Sequence, residues 1–444
     1  METSILKKSK LESNNNNRFL YIKNFNTSFL FFDSSIFIDS KFIHYNHILI
    51  NLLIDTNTKN IFYKINPLAQ ELMKLIDDNN NIILLSGGMD FYICVCKNGI
   101  FSWGSNDYGQ LGIGNFNKQS SPQPISFFKD TEEILSLYCG DSFSICICKN
   151  GVFSWGANYA GQLGINRHNN YSSPQLIEFF KNPEDIIALS CGYSFCVCLC
   201  KNGLFSWGNN FWGQLGIGNE INQSSPQLIL FFKNPEEIIT FSCGRSFCVC
   251  LCKNGLFSWG ENFWEQMKLG GKIKYQTYPR KIEFFKNPEE ILSLSCGSNF
   301  CICVCKNGVF GWGDNHHGQL GIGNNEHQSS PQQIEFFKNP EDIISLSCGN
   351  YFCVCICENE IFNWGYNPNG SLGNKTIQCS PQLLFKGKNE LMHNLSFPQS
   401  SVDPTKRIKK LLLILAREYL DPDEYLMGRY YLPRDMFKIL LNFI

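Results

Sequence analysis

Six tryptophans, each followed by glycine, divide most of this chain into near-equal lengths. They fall at Trp103, Trp155, Trp207, Trp259, Trp312 and Trp364, at intervals of 52, 52, 52, 53 and 52 residues. A period of this size restricts the fold to a repeat array, because each such unit buries its apolar face against its neighbours. One copy, Ser190 to Gly218, reads SCGYSFCVCLCKNGLFSWGNNFWGQLGIG.

Each unit predicts four short strands. A β-rich run closes on Cys-Gly, as at Leu189 to Gly192, and an alternating cysteine strand follows it. Lys-Asn-Gly is a tight hairpin signal, since Asn and Gly tolerate positive φ. Leu204 to Trp207 is the third strand, and the glycine-rich Gly-x-Asn-x-x-Gly-Gln-Leu-Gly segment is a structured loop. Ser-Ser-Pro-Gln opens a fourth strand, placed at Leu228 to Phe232, and Asn-Pro-Glu-Glu turns into the next unit. Four strands with tight turns are the content of a propeller blade.

The chain holds 22 cysteines, and most follow the repeat, as at Cys196, Cys198 and Cys200 or Cys248, Cys250 and Cys252. The same spacing recurs at Cys301, Cys303 and Cys305 and at Cys353, Cys355 and Cys357. Positions i, i+2 and i+4 of a strand share a face, so the thiols form rows. Spaced about 7 Å apart along a strand, they read as small buried core residues in the reduced state, with no metal and no cofactor expected.

These repeats resemble those of the regulator of chromosome condensation. Gly192, Cys198, Leu199, Asn202, Gly203, Phe205, Trp207, Gly208, Asn210 and Gly213 to Gly216 carry the resemblance, which covers about two thirds of the chain. It implies an all-β, seven-bladed β-propeller, with the seventh blade supplied by Phe19 to Ile65. Where the family usually has His three residues after the first Gly, this chain has Phe143, Phe195, Phe247, Phe300 and Phe352, a change of packing.

The expected organisation is a disordered tail at 1–17, a degenerate blade and N-terminal strands at 18–80, six repeats at 81–386 and a linker at 387–402. A small α-helical appendage is expected at 403–444. Its apolar residues recur at helical spacing after Asp403-Pro404 and again after Leu432-Pro433. The second of these stretches, LPRDMFKILLNFI, resembles the opening of an F-box, which implies docking of Leu432, Pro433, Phe437 and Leu440 on a Skp-type adaptor of a cullin ubiquitin ligase.

A net charge of -1 argues against a general nucleic-acid surface. The N-terminus has no signal-peptide core, and no aliphatic run reaches the length of a membrane span. The chain is expected to be intracellular, nuclear or cytoplasmic, and a monomer.

No enzyme constellation is present. The Gly-Gln-Leu-Gly-Ile-Gly loops lack the Lys-Ser/Thr of a P-loop, and the acidic pairs Glu184-Asp185, Glu236-Glu237, Glu289-Glu290 and Glu341-Asp342 recur as equivalent turns. Variable loop positions on a rigid scaffold are where recognition resides. Those positions hold Tyr108, Tyr159, Phe211, Trp212, Phe263, Trp264, His316 and His317, a candidate partner rim whose alternative reading is aromatic packing between blades. The fourth repeat departs from Gly-Gln-Leu-Gly and carries Lys268, Lys272, Lys274, Arg280 and Lys281 within fourteen residues, a candidate basic patch. The function expected is a non-enzymatic protein-protein interaction module. The resemblances imply two alternatives. One is guanine-nucleotide exchange on a Ran-type small GTPase with chromatin association, against which stand a constant period with no room for a wedge and a tail without a basic run. The other is the substrate receptor of a cullin-type ligase.

Overall fold

A strand that alternates cysteine with valine, isoleucine or leucine is apolar on both faces and must be covered on both sides. Stacked blades meet that requirement. The computed structural model describes residues 82–96, 99–264, 274–357, 360–366 and 377–386, together with the strands Phe19–Asn24, Thr27–Phe32 and Ser35–Ile38. Six four-stranded antiparallel sheets, at 82–124, 134–176, 186–228, 238–281, 291–333 and 343–386, form the blades of a β-propeller.

In the third blade the strands are Ile186–Cys191, Phe195–Cys200, Gly203–Gly208 and Gln223–Leu228, in simple meander order. The fourth strand therefore starts and ends earlier than the expected Leu228 to Phe232. Pro226 lies within it and has no N–H to donate, which suits a strand paired on one side only. Short 3-10 turns such as Pro235–Glu237 connect successive blades and carry the acidic pairs.

First strands of neighbouring blades lie side by side. The Cys243, Cys296 and Cys348 N–H groups donate to the hydroxyls of Ser190, Ser242 and Ser295 at 3.3, 3.1 and 3.0 Å.

The expectation of a seven-bladed propeller, with a degenerate seventh blade, is corrected. Among the described residues there are six four-stranded blades, and Phe19–Asn24, Thr27–Phe32 and Ser35–Ile38 form a three-stranded sheet whose first strand approaches Ile82–Gly87. That stretch lacks the Trp-Gly loop that leads back to a fourth strand in each repeat. The remainder of 18–80, the tail, the linker and the helical appendage with Leu432, Pro433, Phe437 and Leu440 lie outside the described residues. No helix among the described residues is long and apolar enough to cross a membrane.

Between blades, large side chains meet small ones. Phe195, Val197 and Leu199 of the third blade pack against Cys248, Cys250 and Cys252 of the fourth, and Phe247, Val249 and Leu251 of the fourth meet Cys301, Cys303 and Cys305 of the fifth. The Phe that opens each second strand fills space that a preceding side chain would need, since a Cβ on Gly192 would lie 1.9 Å from the Phe195 ring. The cysteines are free thiols, and burial raises the pKa of Cys198 and Cys250 well above the usual thiol value. Their sulfurs lean together more than strand spacing suggests, with Cys198 and Cys200 Sγ atoms 3.7 Å apart, because side chains two apart rotate toward each other.

A polar clasp joins the first blade to the second, the second to the third, the third to the fourth and the fifth to the sixth. The indoles of Trp155, Trp207, Trp259 and Trp364 donate to the carbonyls of Gln110, Gln162, Gln214 and Gln319 in the preceding blade at 2.9, 3.0, 2.9 and 2.9 Å. The loop glycine two residues on must lie against that indole, and a Cβ on Gly164 at φ 71° would sit 2.8 Å from Trp207 Nε1. The same loops donate backbone N–H groups to the next blade's fourth strand, Gly114 to the Ser172 carbonyl and Gly218 to the Thr277 carbonyl at 2.7 and 2.9 Å.

The loops of the first, second, third and fifth blades are each closed on their own asparagine. Asn210 Oδ1 accepts the Leu215 N–H at 3.0 Å and its amide donates to the Asn219 carbonyl at 2.8 Å. The Asn158 and Asn210 backbone N–H groups end on Asn170 and Asn222 side-chain oxygens, both at 2.8 Å. In the fifth blade His327 Nδ1 takes that place at 3.0 Å from the Asn315 N–H, and in the fourth the Lys274 carbonyl does so at 2.7 Å.

Two outcomes follow from these contacts. Trp207→Phe keeps most of the packing but strands the buried Gln162 carbonyl, and urea unfolding should register a loss of about 1–3 kcal/mol. Trp207→Ala should cost about 3–5 kcal/mol. For His327, burial and the neighbouring His316 hold the ring's pKa below the ordinary histidine range. Its neutral form stabilises the fold above the unfolded value of about 6.5, and that contribution is lost as pH falls toward the folded value. His327→Asn installs the residue used by the second and third blades. Melting midpoints of variant and wild type should agree at neutral pH and diverge in acid with the variant higher; parallel curves would refute the assignment.

Candidate interaction face

In a four-stranded meander the first and third connections lie at one end of the strands and the second lies at the other, with the link to the next blade. The two ends of this propeller differ in kind. At one end Lys-Asn-Gly hairpins and Asn-Pro-Glu-Glu turns repeat almost unchanged from blade to blade. At the other end the turn after each Cys-Gly and the loop after each Trp-Gly differ in every copy.

That variable face is rigidly built. The residue after Cys-Gly is Met89, Asp141, Tyr193, Arg245, Ser298 and Asn350 in successive blades, the first blade having Gly-Gly in place of Cys-Gly. Their backbones form a chain of hydrogen bonds, Met89 N–H to the Asp141 carbonyl, Asp141 to Tyr193, Tyr193 to Arg245 and Arg245 to Ser298, at 3.0, 3.3, 3.1 and 2.9 Å. The Ser298 hydroxyl continues it to Asn350 Oδ1 at 2.9 Å. Within each blade the next residue's carbonyl accepts an N–H from the loop, as Ser194 does from Asn209 at 2.8 Å. The glycine of Trp-Gly permits this approach, since a Cβ on Gly208 would lie 2.5 Å from the Ser194 carbonyl oxygen. Six unlike side chains are thus presented at equivalent points of one frame.

The aromatic loop residues fall into two positions. Tyr159, Phe211 and Phe263, first after the loop asparagine, are 53, 63 and 44% exposed. His316 shares that position and is also exposed. Trp212 and Trp264, one residue later, pack across the blade boundary: Trp212 lies 4.9 Å from Phe263, and Trp264 lies 4.9 Å from His316. His317 stacks on Tyr366 of the sixth blade at 4.6 Å. Tyr108 is exposed and lies beside Tyr159 in the wall of a cavity between the first two blades.

Charge gathers near the centre of this face. Asp141 is 6% exposed, and burial pushes its carboxyl up to about 6 against the opposing pull of Ser142, Tyr193 and Arg245. Burial likewise raises Glu261, with Ser246 and Arg245 opposing it. The Arg245 guanidinium lies 5.0 Å over the Tyr193 ring, a cation–π arrangement. The Tyr159 hydroxyl bonds to Ser194, and burial raises its pKa.

Asp314, His316 and His327 form the one set of three metal-capable side chains converging within 4.8 Å among the described residues. Because His327 Nδ1 accepts the Asn315 N–H, its Nε2 carries the hydrogen that faces His316 Nε2 at 3.0 Å. His316 Nδ1–H then donates to Asp314 at 3.0 Å. The set is a continuous hydrogen-bond chain, with its ring nitrogens already engaged.

Of the basic candidates, Lys268 and Lys272 lie outside the described residues. Lys274, Arg280 and Lys281 are exposed on or beside the fourth strand of the fourth blade, Tyr275–Lys281. The residues after Cys-Gly escaped the reading of the sequence. Their signal was present, because this position differs in all six copies while the Gly before it and the Phe two residues after it do not change.

Comparison with known proteins agrees with this architecture. A family model described as the RCC1-like domain matches residues 56–400. The ultraviolet-B receptor UVR8 of Arabidopsis thaliana is 30% identical over 305 residues, 67% of this chain and 68% of that protein. The probable E3 ubiquitin-protein ligase HERC6 of Homo sapiens is 31% identical over 64% of this chain, but the match spans 28% of its own length. Among solved structures, Prp20p of Saccharomyces cerevisiae aligns with a TM-score of 0.60 at 21% identity, covering 72% of this chain and 80% of that one. Human WBSCR16 aligns with a TM-score of 0.59 at 23% identity, covering 73% and 84%. With its Trp-Gly loops, interblade clasp and this match over most of its length, the chain belongs to the RCC1-like domain family.

Proposed function

We propose that this propeller is a non-catalytic protein-interaction module whose partner binds the face formed by the turns after each Cys-Gly and the loops after each Trp-Gly. The observation that carries this reading is the contrast between the two faces of one molecule. Where the only demand is to turn the chain, the repeats stay alike; on the other face they diverge at Met89, Asp141, Tyr193, Arg245, Ser298 and Asn350 and at the loop aromatics. Exposed aromatic rings on a rigid frame are efficient contact groups, since little side-chain freedom is lost on binding. In the fourth repeat, the exposed Lys274, Arg280 and Lys281 would offer a secondary surface for an acidic partner, with Lys268 and Lys272 of the same sequence stretch outside the described residues.

Prp20p binds Gsp1p and histones, which favours protein partners for this chain and keeps exchange on a Ran-type GTPase as the second reading. That reading predicts accelerated release of labelled GDP from such a GTPase. The ligase-receptor reading rests on Leu432, Pro433, Phe437 and Leu440 and predicts capture of a Skp-type adaptor that is lost with Leu432→Ala and Pro433→Ala.

The face itself is tested by paired substitutions. Tyr159→Ala with Phe211→Ala should weaken a captured partner by about 2 kcal/mol or more, roughly thirtyfold, with the melting midpoint little changed. Leu230→Ala, 76% exposed and beyond the end of a fourth strand, is the control and should leave capture intact. Capture that is indifferent to the first pair but lost with the control would place the partner elsewhere.

A further inference from the structure

The cavity between the first and second blades has a volume of about 220 Å³ and is lined by three carboxylates, Asp90, Asp107 and Asp141, and three phenols, Tyr108, Tyr159 and Tyr193, with no lysine or arginine in its wall. Asp141 is its innermost charge. Its Oδ2 accepts the Ser142 hydroxyl at 3.0 Å, while its Oδ1 is shielded from solvent with no donor at hydrogen-bond distance, although the nearby Tyr193 hydroxyl also favours the charged carboxyl. A desolvated carboxylate oxygen without a donor is a costly arrangement that a cation relieves. The nearest cation on this face, Arg245, lies over the Tyr193 ring, and its charge also acts on Glu261.

We propose that this cavity receives one arginine side chain of a protein partner docked on the variable face, its guanidinium hydrogen-bonded to Asp141 and laid against the tyrosine rings. This rests on the reading of that face as the partner surface. A planar guanidinium suits the site better than an ammonium, because it presents paired donors to a carboxylate and stacks on aromatic faces. Burial pushes the carboxyl of Asp141 up to about 6. The groups acting on it are Ser142, Tyr193, Asp90 and Arg245, and burial outweighs those among them that favour its charged form. Binding of a guanidinium therefore tightens as pH rises through about 6.

Saturation-transfer NMR on the full chain tests this with N-acetyl-arginine methylamide and its neutral isostere, N-acetyl-citrulline methylamide. The arginine probe should bind about tenfold or more tightly than the citrulline probe, as a charge-assisted bond requires. The lysine analogue should fall between them. Asp141→Asn should abolish the preference while leaving the circular dichroism melt intact or raised. Should that variant fail to fold, Asp107→Asn at the exposed rim should weaken the arginine probe and leave the citrulline probe unaffected. Equal binding of the two probes, or an arginine preference that survives Asp141→Asn, would overturn the proposal. Partner capture that still depends on Tyr159 and Phe211 after such a result would spare the face and sink only the cavity. Arginine-selective binding without any face-dependent partner would do the reverse.

Discussion

The bond from the indoles of Trp155, Trp207, Trp259 and Trp364 to a glutamine carbonyl in the preceding blade is the interaction on which the rest of the structure depends. It joins two motifs that lie 45 residues apart in sequence, Gln162 and Trp207 for example. A buried indole N–H needs an acceptor, and the loop that supplies it comes from another blade. Neither Trp-Gly nor Gly-Gln-Leu-Gly is therefore complete within one repeat. The pairing of aliphatic and Phe rows with cysteine rows has the same property, since each seam needs large side chains from one blade and small ones from the next. Substituting larger residues in a cysteine row would overpack the seam, a change that typically costs about 1–3 kcal/mol.

This division of labour frees the rest of the loop. Once the asparagine, the Gln carbonyl and the glycines have fixed its path, the two residues after Asn158, Asn210 or Asn315 carry no part of the clasp through their side chains. The outer of the two is exposed, and the inner wedges against the next blade, as Trp212 does against Phe263. The turn after Cys-Gly is similarly locked through backbone atoms alone, so Met89, Asp141, Tyr193 and Arg245 vary without disturbing the ring. A surface whose geometry is held by backbone and whose chemistry is set by side chains is suited to recognition. The buried carboxylate of Asp141 marks where that chemistry departs furthest from what folding alone requires.

Much of the architecture was legible because the repeat is strict: the Trp period, the Lys-Asn-Gly hairpin and the alternating cysteines fix strand number, connection and two-sided burial. The fourth strand was read too late because Phe231-Phe232 resembles a strand end; its rings instead pack forward on Phe257, in the third strand of the next blade, at 5.3 and 6.0 Å. The thiol spacing was read from backbone geometry, whereas side-chain rotation brings neighbouring sulfurs within 3.7 Å at Cys198 and Cys200. Seven blades were expected from resemblance, and the N-terminal strands lack the motifs by which the other blades declare themselves. The central face carried a signal in the variable position after Cys-Gly, but that its six residues come together on one face is seen only once the blades are assembled.

Hydrogen exchange at the tryptophan indoles, measured by NMR in wild type and in Gly164→Ala, tests the interblade clasp most directly. Gly164 belongs to the second blade, whose own tryptophan is Trp155, but its backbone lies against Trp207 of the third. The substitution should accelerate exchange at Trp207 and leave Trp155 slow. Acceleration at Trp155 with Trp207 unchanged would show that the loop serves its own blade and would contradict the account.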